Sequence, residues 1–108
     1  MKVLSLFDGI SCGMLALQRA GIPVECYDAF EIDKYAVTVS KRNFPVIVHH
    51  GNVYDGDFTQ FRGYDLLLGG SPCTYWSIAK KDREVDCNGE GFRLFKEYVR
   101  ALEESGCQ

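Results

Sequence analysis

The sequence has 108 residues, enough for one domain and too few for two. Hydrophobic residues make up 46% and charged residues 25%, which is typical of soluble globular proteins. The net charge of −3 gives the chain no general attraction to nucleic acid, and no apolar run approaches the ~20 residues that span a bilayer.

Five cysteines are present without a C-x-x-C pair, which argues against both a disulfide framework and a zinc site. His49 and His50 are adjacent and cannot face one metal ion as ligands spaced along a helix do, so we expect no metal site. The N-terminus runs straight into an apolar stretch and does not resemble a signal peptide. We therefore expect a cytoplasmic protein.

Short apolar runs alternate with amphipathic segments, which predicts alternating strands and helices. The predicted strands cover residues 3–7, 24–31, 46–48 and 64–68. Helices are predicted from Ser11 to a stop at Gly21, from an N-cap at Asp33 to a stop before Asn43, and from Phe92 to a stop at Ser105. The second helix is indicated by the spacing of Tyr35, Ala36, Val39 and Ser40. We predict loops over residues 51–63, with one short helical turn at most, and over residues 71–91.

This alternation predicts an α/β fold with a doubly wound parallel sheet. Right-handed crossovers place the first three strands in the order 3-2-1, with the fourth beside the first. Ligands in such sheets bind beyond the carboxyl ends of the strands, at the switch point between strands 1 and 4. Two unusual segments should meet at that point: residues 7–13 (FDGISCG) and residues 69–73 (GGSPC).

The loop after strand 1 carries glycines at positions 9 and 13, which let a ligand approach the backbone closely. Their spacing does not match the G-x-G-x-x-G fingerprint of dinucleotide-binding proteins. Glu31 ends strand 2, where an acid can accept hydrogen bonds from both hydroxyls of a ribose. Turn glycines and a solvated glutamate explain the same residues. Asn52 either reads an adenine edge or forms a turn beside Gly51.

Cys73 directly follows Gly-Gly-Ser-Pro and an apolar strand, at the sheet edge where ligands bind. Pro72 fixes the backbone and makes the turn rigid, and the N–H groups of the following turn favour the thiolate. From the residues alone, a catalytic nucleophile and a small buried apolar residue remain open. We predict that the other four cysteines are structural.

Five segments resemble, in order, the motifs of DNA cytosine-5 methyltransferases. They are residues 4–10 (LSLFDGI), 30–36 (FEIDKYA), 51–53 (GNV), 64–77 (YDLLLGGSPCTYWS) and 91–95 (GFRLF). The likeness covers nearly the whole chain. Ser11 and Cys12 replace glycines of the usual bacterial first motif, and Thr74 replaces the glutamine that usually follows Pro-Cys. In these positions the sequence is similar to the de novo branch of these methyltransferases.

The resemblance implies the Rossmann-like fold of S-adenosylmethionine-dependent methyltransferases, with S-adenosylmethionine as cofactor and S-adenosylhomocysteine as product. Glu31 would hold the ribose, Ile32 would cover the adenine, and Asn52 would meet its edge. Cys73 would be the nucleophile, and Ser77 would touch the DNA backbone. The remaining pocket would be lined by Phe7, Asp8, Gly9, Ile10, Ser11 and Pro72.

Family members also carry a fifth strand with Glu-Asn-Val and a target-recognition domain, which this sequence lacks. We therefore expect residues 1–108 to form one incomplete domain, the N-terminal part of a methyltransferase acting on double-stranded DNA in the cytoplasm, nucleoid or nucleus. It would be inactive without a complementing C-terminal chain. The alternative is a non-catalytic S-adenosylmethionine-binding or regulatory module. The glycine spacing disfavours an unrelated nucleotide-binding enzyme.

The outer edge of the predicted fourth strand bears on whether the chain associates with other copies. Residues 66–68 are all leucine, and neither lysine nor proline interrupts them. Natural sheets use such residues to guard an open edge against pairing with another chain. The sequence therefore predicts self-association through this edge. The alternative is that the predicted loop over residues 71–91 folds over the edge and keeps the chain monomeric.

Overall fold

The computed structural model describes residues 1–70 and 90–107. Within these residues, one parallel sheet has the order β3-β2-β1-β4. Its strands are β1 (Lys2–Leu6), β2 (Cys26–Phe30), β3 (Val48–His49) and β4 (Leu66–Gly69). The α-helices are α1 (Cys12–Arg19), α2 (Lys34–Asn43) and α3 (Glu90–Ser105). The predicted α/β fold and strand order are confirmed.

β1 lies at the centre of the sheet, between β2 and β4. Val3, Leu4 and Leu6 are almost completely buried, as expected of a parallel strand covered on both faces. Leu6 is in register with both Phe30 and Gly69, the last residues of β2 and β4. The chain segments that follow these three strands therefore leave the sheet side by side.

Alternate residues of the strands point to opposite faces, which gives the molecule two apolar cores. One core contains Val3, Met14, Leu17, Tyr27, Ala29 and Ile47. The other contains Leu4, Leu6, Phe30, Val53, Phe58, Phe61 and Ala101. The first core thus receives side chains from α1, and the second receives them from residues 53–61 and from α3.

The prediction for residues 51–63 was wrong. Two 3-10 helices occupy this segment, over Val53–Asp55 and Phe58–Phe61, and their apolar residues are buried in the second core. The Asn52 and Asp57 side chains cap them by accepting hydrogen bonds from the backbone N–H groups of Tyr54 and Thr59. Polar residues that suggested a loop are therefore helix caps.

The predicted end of α1 and start of α2 are confirmed. Gly21 has a φ of 73° and ends α1, while the N–H of Ile22 donates to the Leu17 carbonyl at 3.0 Å. This is the Schellman arrangement, which favours glycine. The Asp33 side chain caps α2 by accepting from the N–H groups of Tyr35 and Ala36.

One detail of α2 and one of β3 differ from the predictions. Tyr35 and Ser40 belong to the same predicted helical pattern, but Tyr35 is 86% exposed while Ser40 is completely buried as a member of that pattern should be. The third strand begins at Val48 instead of residue 46. The N–H of Ile47 donates to the Phe44 carbonyl at 3.2 Å in the turn after α2. This turn therefore delays the start of β3.

Candidate functional site

The site lies at the carboxyl ends of β1 and β2, where the backbone takes unusual conformations. Phe7 and Ser11 have φ values of 55° and 70°, in the left-handed region that non-glycine residues rarely occupy. Gly9 has a φ of 62°, and a Cβ added to it would meet no atom of the described residues within 4 Å. The backbone at Gly9 is therefore bare on its open side, as close approach by a ligand requires.

Glu31 joins the two strand ends. Its Oε1 accepts a hydrogen bond of 2.7 Å from the Gly9 N–H. Its Oε2 accepts hydrogen bonds of 3.0 Å from the N–H groups of Ile32 and Asp33. The carboxylate thus ties the loop after β1 to the start of α2, and it lies at the edge where the sequence predicted it.

Gly13 is explained by packing. A Cβ at this position would lie 2.8 Å from the Leu68 side chain and 2.9 Å from the Tyr27 hydroxyl. Neither neighbour can retreat easily, because both belong to the first core or pack against it. The glycine therefore lets the start of α1 approach the sheet closely, directly behind the loop.

The Asp8 side chain points inward and makes hydrogen bonds to the protein. Oδ1 accepts from the Ser5 hydroxyl and from the Tyr27 hydroxyl, both at 2.7 Å, and Oδ2 accepts from the Ser11 hydroxyl. Burial raises the pKa of Tyr27 well above its usual range, and the Asp8 carboxylate adds to this shift. Tyr27 is thus a neutral donor at physiological pH.

Apolar and amide groups flank the loop. Ile10 and Ile32 are 50% and 69% exposed, so each offers an uncovered apolar surface beside Glu31. Phe7, in contrast, packs against the second core. Asn52 Oδ1 caps the first 3-10 helix, and within the described residues the amide nitrogen of Asn52 has no protein partner. Both alternatives for Asn52, a turn former and a ligand contact, are compatible with this geometry.

The predicted residues Pro72, Cys73 and Ser77 lie outside the described residues, as does Cys87. Of the cysteines predicted to be structural, Cys12 and Cys26 are exposed and Cys107 is half-buried. The structural interpretation was therefore wrong for Cys12 and Cys26, because neither contributes to a core. In the described part of the chain, no group of three His, Cys, Asp or Glu side chains is placed to hold a metal ion.

Two polar clusters of the structure were not predicted from the sequence. One is the contact of Tyr27 and Ser40 with the loop after β1. The other lies on β2, where Asp28 accepts a hydrogen bond from the Tyr64 hydroxyl and contacts His50 Nε2 at 2.7 Å. A polar residue at a core position of a strand was the available signal in both cases, since such residues require partners.

Comparison with known protein families over nearly the whole length of the chain shows its family. The sequence model for the C-5 cytosine-specific DNA methylase matches residues 1–106. The chain belongs to this family. The predicted membership is confirmed, and the matched residues include the loop after β1, Glu31 and Cys73.

Curated members of the methylase family are similar to this chain over part of their own length. Orphan methyltransferase M.SPRI of Bacillus phage SPR is 38% identical over an alignment of 108 positions, which covers 96% of this chain and 24% of that protein. DNA (cytosine-5)-methyltransferase DRM2 of Arabidopsis thaliana is 33% identical over an alignment of 116 positions, gaps included, which covers 95% of this chain and 18% of that protein. The chain therefore spans a quarter of these relatives or less.

Solved structures support the fold. The crystal structure of the Dnmt2 methyltransferase of S. pombe superimposes with a TM-score of 0.67 at 20% identity, covering 95% of this chain and 32% of that one. The DNMT2 mutant of Spodoptera frugiperda gives a TM-score of 0.64 at 19% identity, covering 96% of this chain and 41% of that one.

No helix in the described residues is long and apolar enough to cross a membrane.

Proposed function

We propose that this chain provides the S-adenosylmethionine-binding and nucleophile-bearing part of a DNA cytosine-5 methyltransferase. The observation that carries the proposal is the Glu31 carboxylate bound to the Gly9 N–H at 2.7 Å, beside a backbone that is bare at Gly9. An acid and an open glycine backbone at the ends of adjacent parallel strands suit a nucleoside ligand.

The described residues fit this ligand in both polarity and position. Glu31 accepts three backbone N–H hydrogen bonds, one at Oε1 and two at Oε2. Of the ~4 lone-pair sites of a carboxylate, the one left on Oε1 can accept a ribose hydroxyl. Ile32 offers its exposed surface to the adenine, and the Asn52 amide nitrogen offers a donor to the ring edge. Gly9 and Ile10 offer backbone and apolar contacts along the loop after β1, and Pro72 is proposed to close the pocket.

Not all residues of the predicted pocket would contribute in the same way. The Asp8 and Ser11 side chains bond to each other inside the protein, so we propose that they contribute backbone atoms and loop shape. Phe7 is held by its contact with the second core. The bound cofactor supplies an electrophilic methyl group on a sulfonium.

The proposed chemistry uses Cys73. C5 of cytosine is a poor nucleophile, and addition of the Cys73 thiolate to C6 converts the ring to an enamine whose C5 takes the methyl group. Loss of the C5 proton restores the double bond and expels the cysteine thiolate. The target base must leave the duplex to reach the thiol, and Ser77 is proposed to hold the DNA backbone while it does so.

The substrate defines the partners and the location. We propose double-stranded DNA as the substrate, which places the activity with the DNA inside the cell. A further polypeptide segment, in the same chain or a complementing one, would supply the general acid and the recognition surface. Residues 1–108 alone are then expected to transfer methyl groups ~10²–10⁴-fold more slowly than the same residues with that further segment, since a positioned general acid usually contributes this much to the rate.

Calorimetry with S-adenosylhomocysteine tests the cofactor site. Glu31→Ala should weaken binding by about 2 kcal/mol, because it removes a charged acceptor. Glu25→Ala is the matched control, since it removes an exposed carboxylate just before β2, at the opposite end of the strand. Equal affinity in wild type and Glu31→Ala would contradict the proposed site.

Methyl transfer to DNA tests the nucleophile. If a complementing segment restores activity, Cys73→Ser should abolish methylation while S-adenosylhomocysteine still binds. Methylation that survives in Cys73→Ser would reject the proposed mechanism. Cofactor binding without methylation in any reconstituted form would favour the alternative, a non-catalytic module of the same fold.

A further inference from the structure

A continuous chain of hydrogen bonds runs behind the loop after β1. It links the Tyr27 hydroxyl to Asp8 at 2.7 Å, Asp8 to the Ser11 hydroxyl, and Ser11 Oγ to Ser40 Oγ at 2.5 Å. We call these four residues the Asp8 network. Ser11 and Ser40 are completely buried, and Tyr27 is nearly so. The network thus connects β2, the loop and α2 inside the protein.

The direction of the hydrogen bonds follows from the number of protons. A hydroxyl has one proton, and that of Ser11 is donated to the Asp8 carboxylate. Ser40 must therefore donate to Ser11 Oγ across the 2.5 Å contact. Each polar group of the network then has a partner, and a fully satisfied buried network favours one arrangement of its members.

This arrangement determines the shape of the loop. Ser11 has a φ of 70°, a strained conformation for a residue with a Cβ. It occupies the N-cap position of α1, yet its side chain makes no capping hydrogen bond to that helix. Its hydroxyl points instead toward Asp8 and Ser40, so the network stabilises a backbone conformation that helix capping would not.

The strand order indicates which part of the ligand meets this loop. Ile32 and Asn52 follow β2 and β3, so the adenine of the proposed cofactor lies toward that side of the sheet. Glu31 holds the ribose at the end of β2. The rest of the ligand must then extend over β1 and toward β4, the strand that precedes Cys73. The amino-acid half therefore faces the loop that Ser11 shapes.

We infer that Ser40, from within α2, is a positioning residue for the amino-acid half of the cofactor. It acts through Ser11 and Asp8 on the loop backbone and does not touch the ligand. The inference rests on the proposed function. Ser40 itself is not among the residues proposed to line the cofactor pocket.

Two probes separate positioning from general stability. S-adenosylhomocysteine carries the amino-acid half, whereas 5′-methylthioadenosine has the same adenosine and thioether without it. In calorimetry, Ser40→Ala should weaken S-adenosylhomocysteine roughly five- to tenfold, the effect of one lost hydrogen bond, and leave 5′-methylthioadenosine unchanged. Thr38→Val is the matched control. Its hydroxyl is exposed on the same helix, donates to the Lys34 carbonyl, and should affect neither probe.

The results distinguish the inference from the proposed function. Equal weakening of both probes, or no change for either, in folded Ser40→Ala would overturn the inference while leaving the cofactor site intact. Binding of neither probe by the wild-type chain would reject the proposed function and the inference together. If thermal melting shows that Ser40→Ala does not fold, Tyr27→Phe removes the hydroxyl at the other end of the network, and the same criteria apply.

Discussion

Gly69 and Gly70 end β4 in very different surroundings. A Cβ on Gly69 would lie 2.4 Å from ring carbons of Tyr98, a residue of α3 that packs against the second core. A Cβ on Gly70 would have no neighbour within 4 Å in the described part of the chain. The ring of Tyr98 therefore requires glycine at position 69 and leaves position 70 unconstrained.

We predict that Gly69→Ala lowers the free energy of unfolding by about 1–3 kcal/mol, since the half-buried Tyr98 ring must move from its contact with the second core. Gly70→Ala should change it by less than about 0.5 kcal/mol. Urea unfolding of both variants is the measurement. In a Tyr98→Ala background the cost of Gly69→Ala should disappear. Equal costs for the two glycines would show that the contact with Tyr98 does not matter.

His49 makes stability depend on pH. Both of its ring nitrogens are buried without a hydrogen-bond partner in the described residues. Burial lowers the pKa of His49 below its usual value of 6.5, and the nearby charge of Lys41 adds to the effect. The unfolded chain therefore binds the proton at a higher pH than the folded one.

The sign of the effect follows from linkage. The free energy of unfolding is unaffected by His49 above the unfolded pKa, and it falls as the pH drops from there toward the folded pKa. We predict that His49→Val flattens the decline between about pH 7 and pH 5, because it removes the titrating ring. Urea midpoints across this range measure it, with His50 retained in both proteins. Parallel curves would contradict the prediction.

At the scale of elements, α3 holds the two 3-10 helices against the sheet through Arg100. Its Nη1 and Nη2 donate to the carbonyls of Gly56 and Val53, both at 2.9 Å. The guanidinium also lies 4.6 Å from the centre of the Phe58 ring. One planar side chain thus satisfies two backbone groups and stacks on the aromatic residue between α3 and the sheet.

Arg100→Lys should therefore destabilise the protein even though it keeps the charge. A lysine ammonium cannot donate in the same forked geometry or stack as a plane. We expect a loss of about 1–3 kcal/mol in urea unfolding, from hydrogen bonds made by a charged group. Arg42→Lys, at an exposed position of α2, is the control and should be neutral within about 0.5 kcal/mol. Equal stability of Arg100→Lys and wild type would contradict the proposed role of Arg100 in holding the two 3-10 helices.

Elements governed by local patterns could be predicted from the sequence. The apolar run of β1 and the cap at Asp33 both depend on neighbouring residues, and both were predicted correctly. The 3-10 helices could not be, because their apolar residues were separated by residues typical of loops and their burial depends on α3. At the site, Glu31 was predictable from its place after a strand. Ser40 was not, because its partner is 29 residues away along the chain.

For the whole molecule, the outer edge of β4 predicts association. Within the described residues β4 pairs only with β1, and Leu66, Leu67 and Leu68 are half-buried. Phe95 and Leu102 on α3 are also exposed. An unguarded strand edge and exposed apolar surface each favour association with a second copy.

Light scattering over a concentration series should show a mass that rises above that of the monomer. Replacing both exposed large apolar residues of α3, Phe95→Lys with Leu102→Lys, should shift the rise to higher concentration because it removes apolar surface and adds charge. A monomer at every concentration, with hydrogen exchange showing β4 protected, would contradict the prediction.

The position of β1 also has a consequence during synthesis. Val3 pairs with Leu66, and the Lys2 N–H donates to the Asp65 carboxylate 63 residues later. Translation adds ~5–20 residues per second, so one edge of the central strand remains unpaired for several seconds in the nascent chain. Such long-range parallel pairing is slow to form. The strand made first is thus among the last to be completed, and a ribosome that pauses before residue 66 would leave its apolar edge accessible to chaperones.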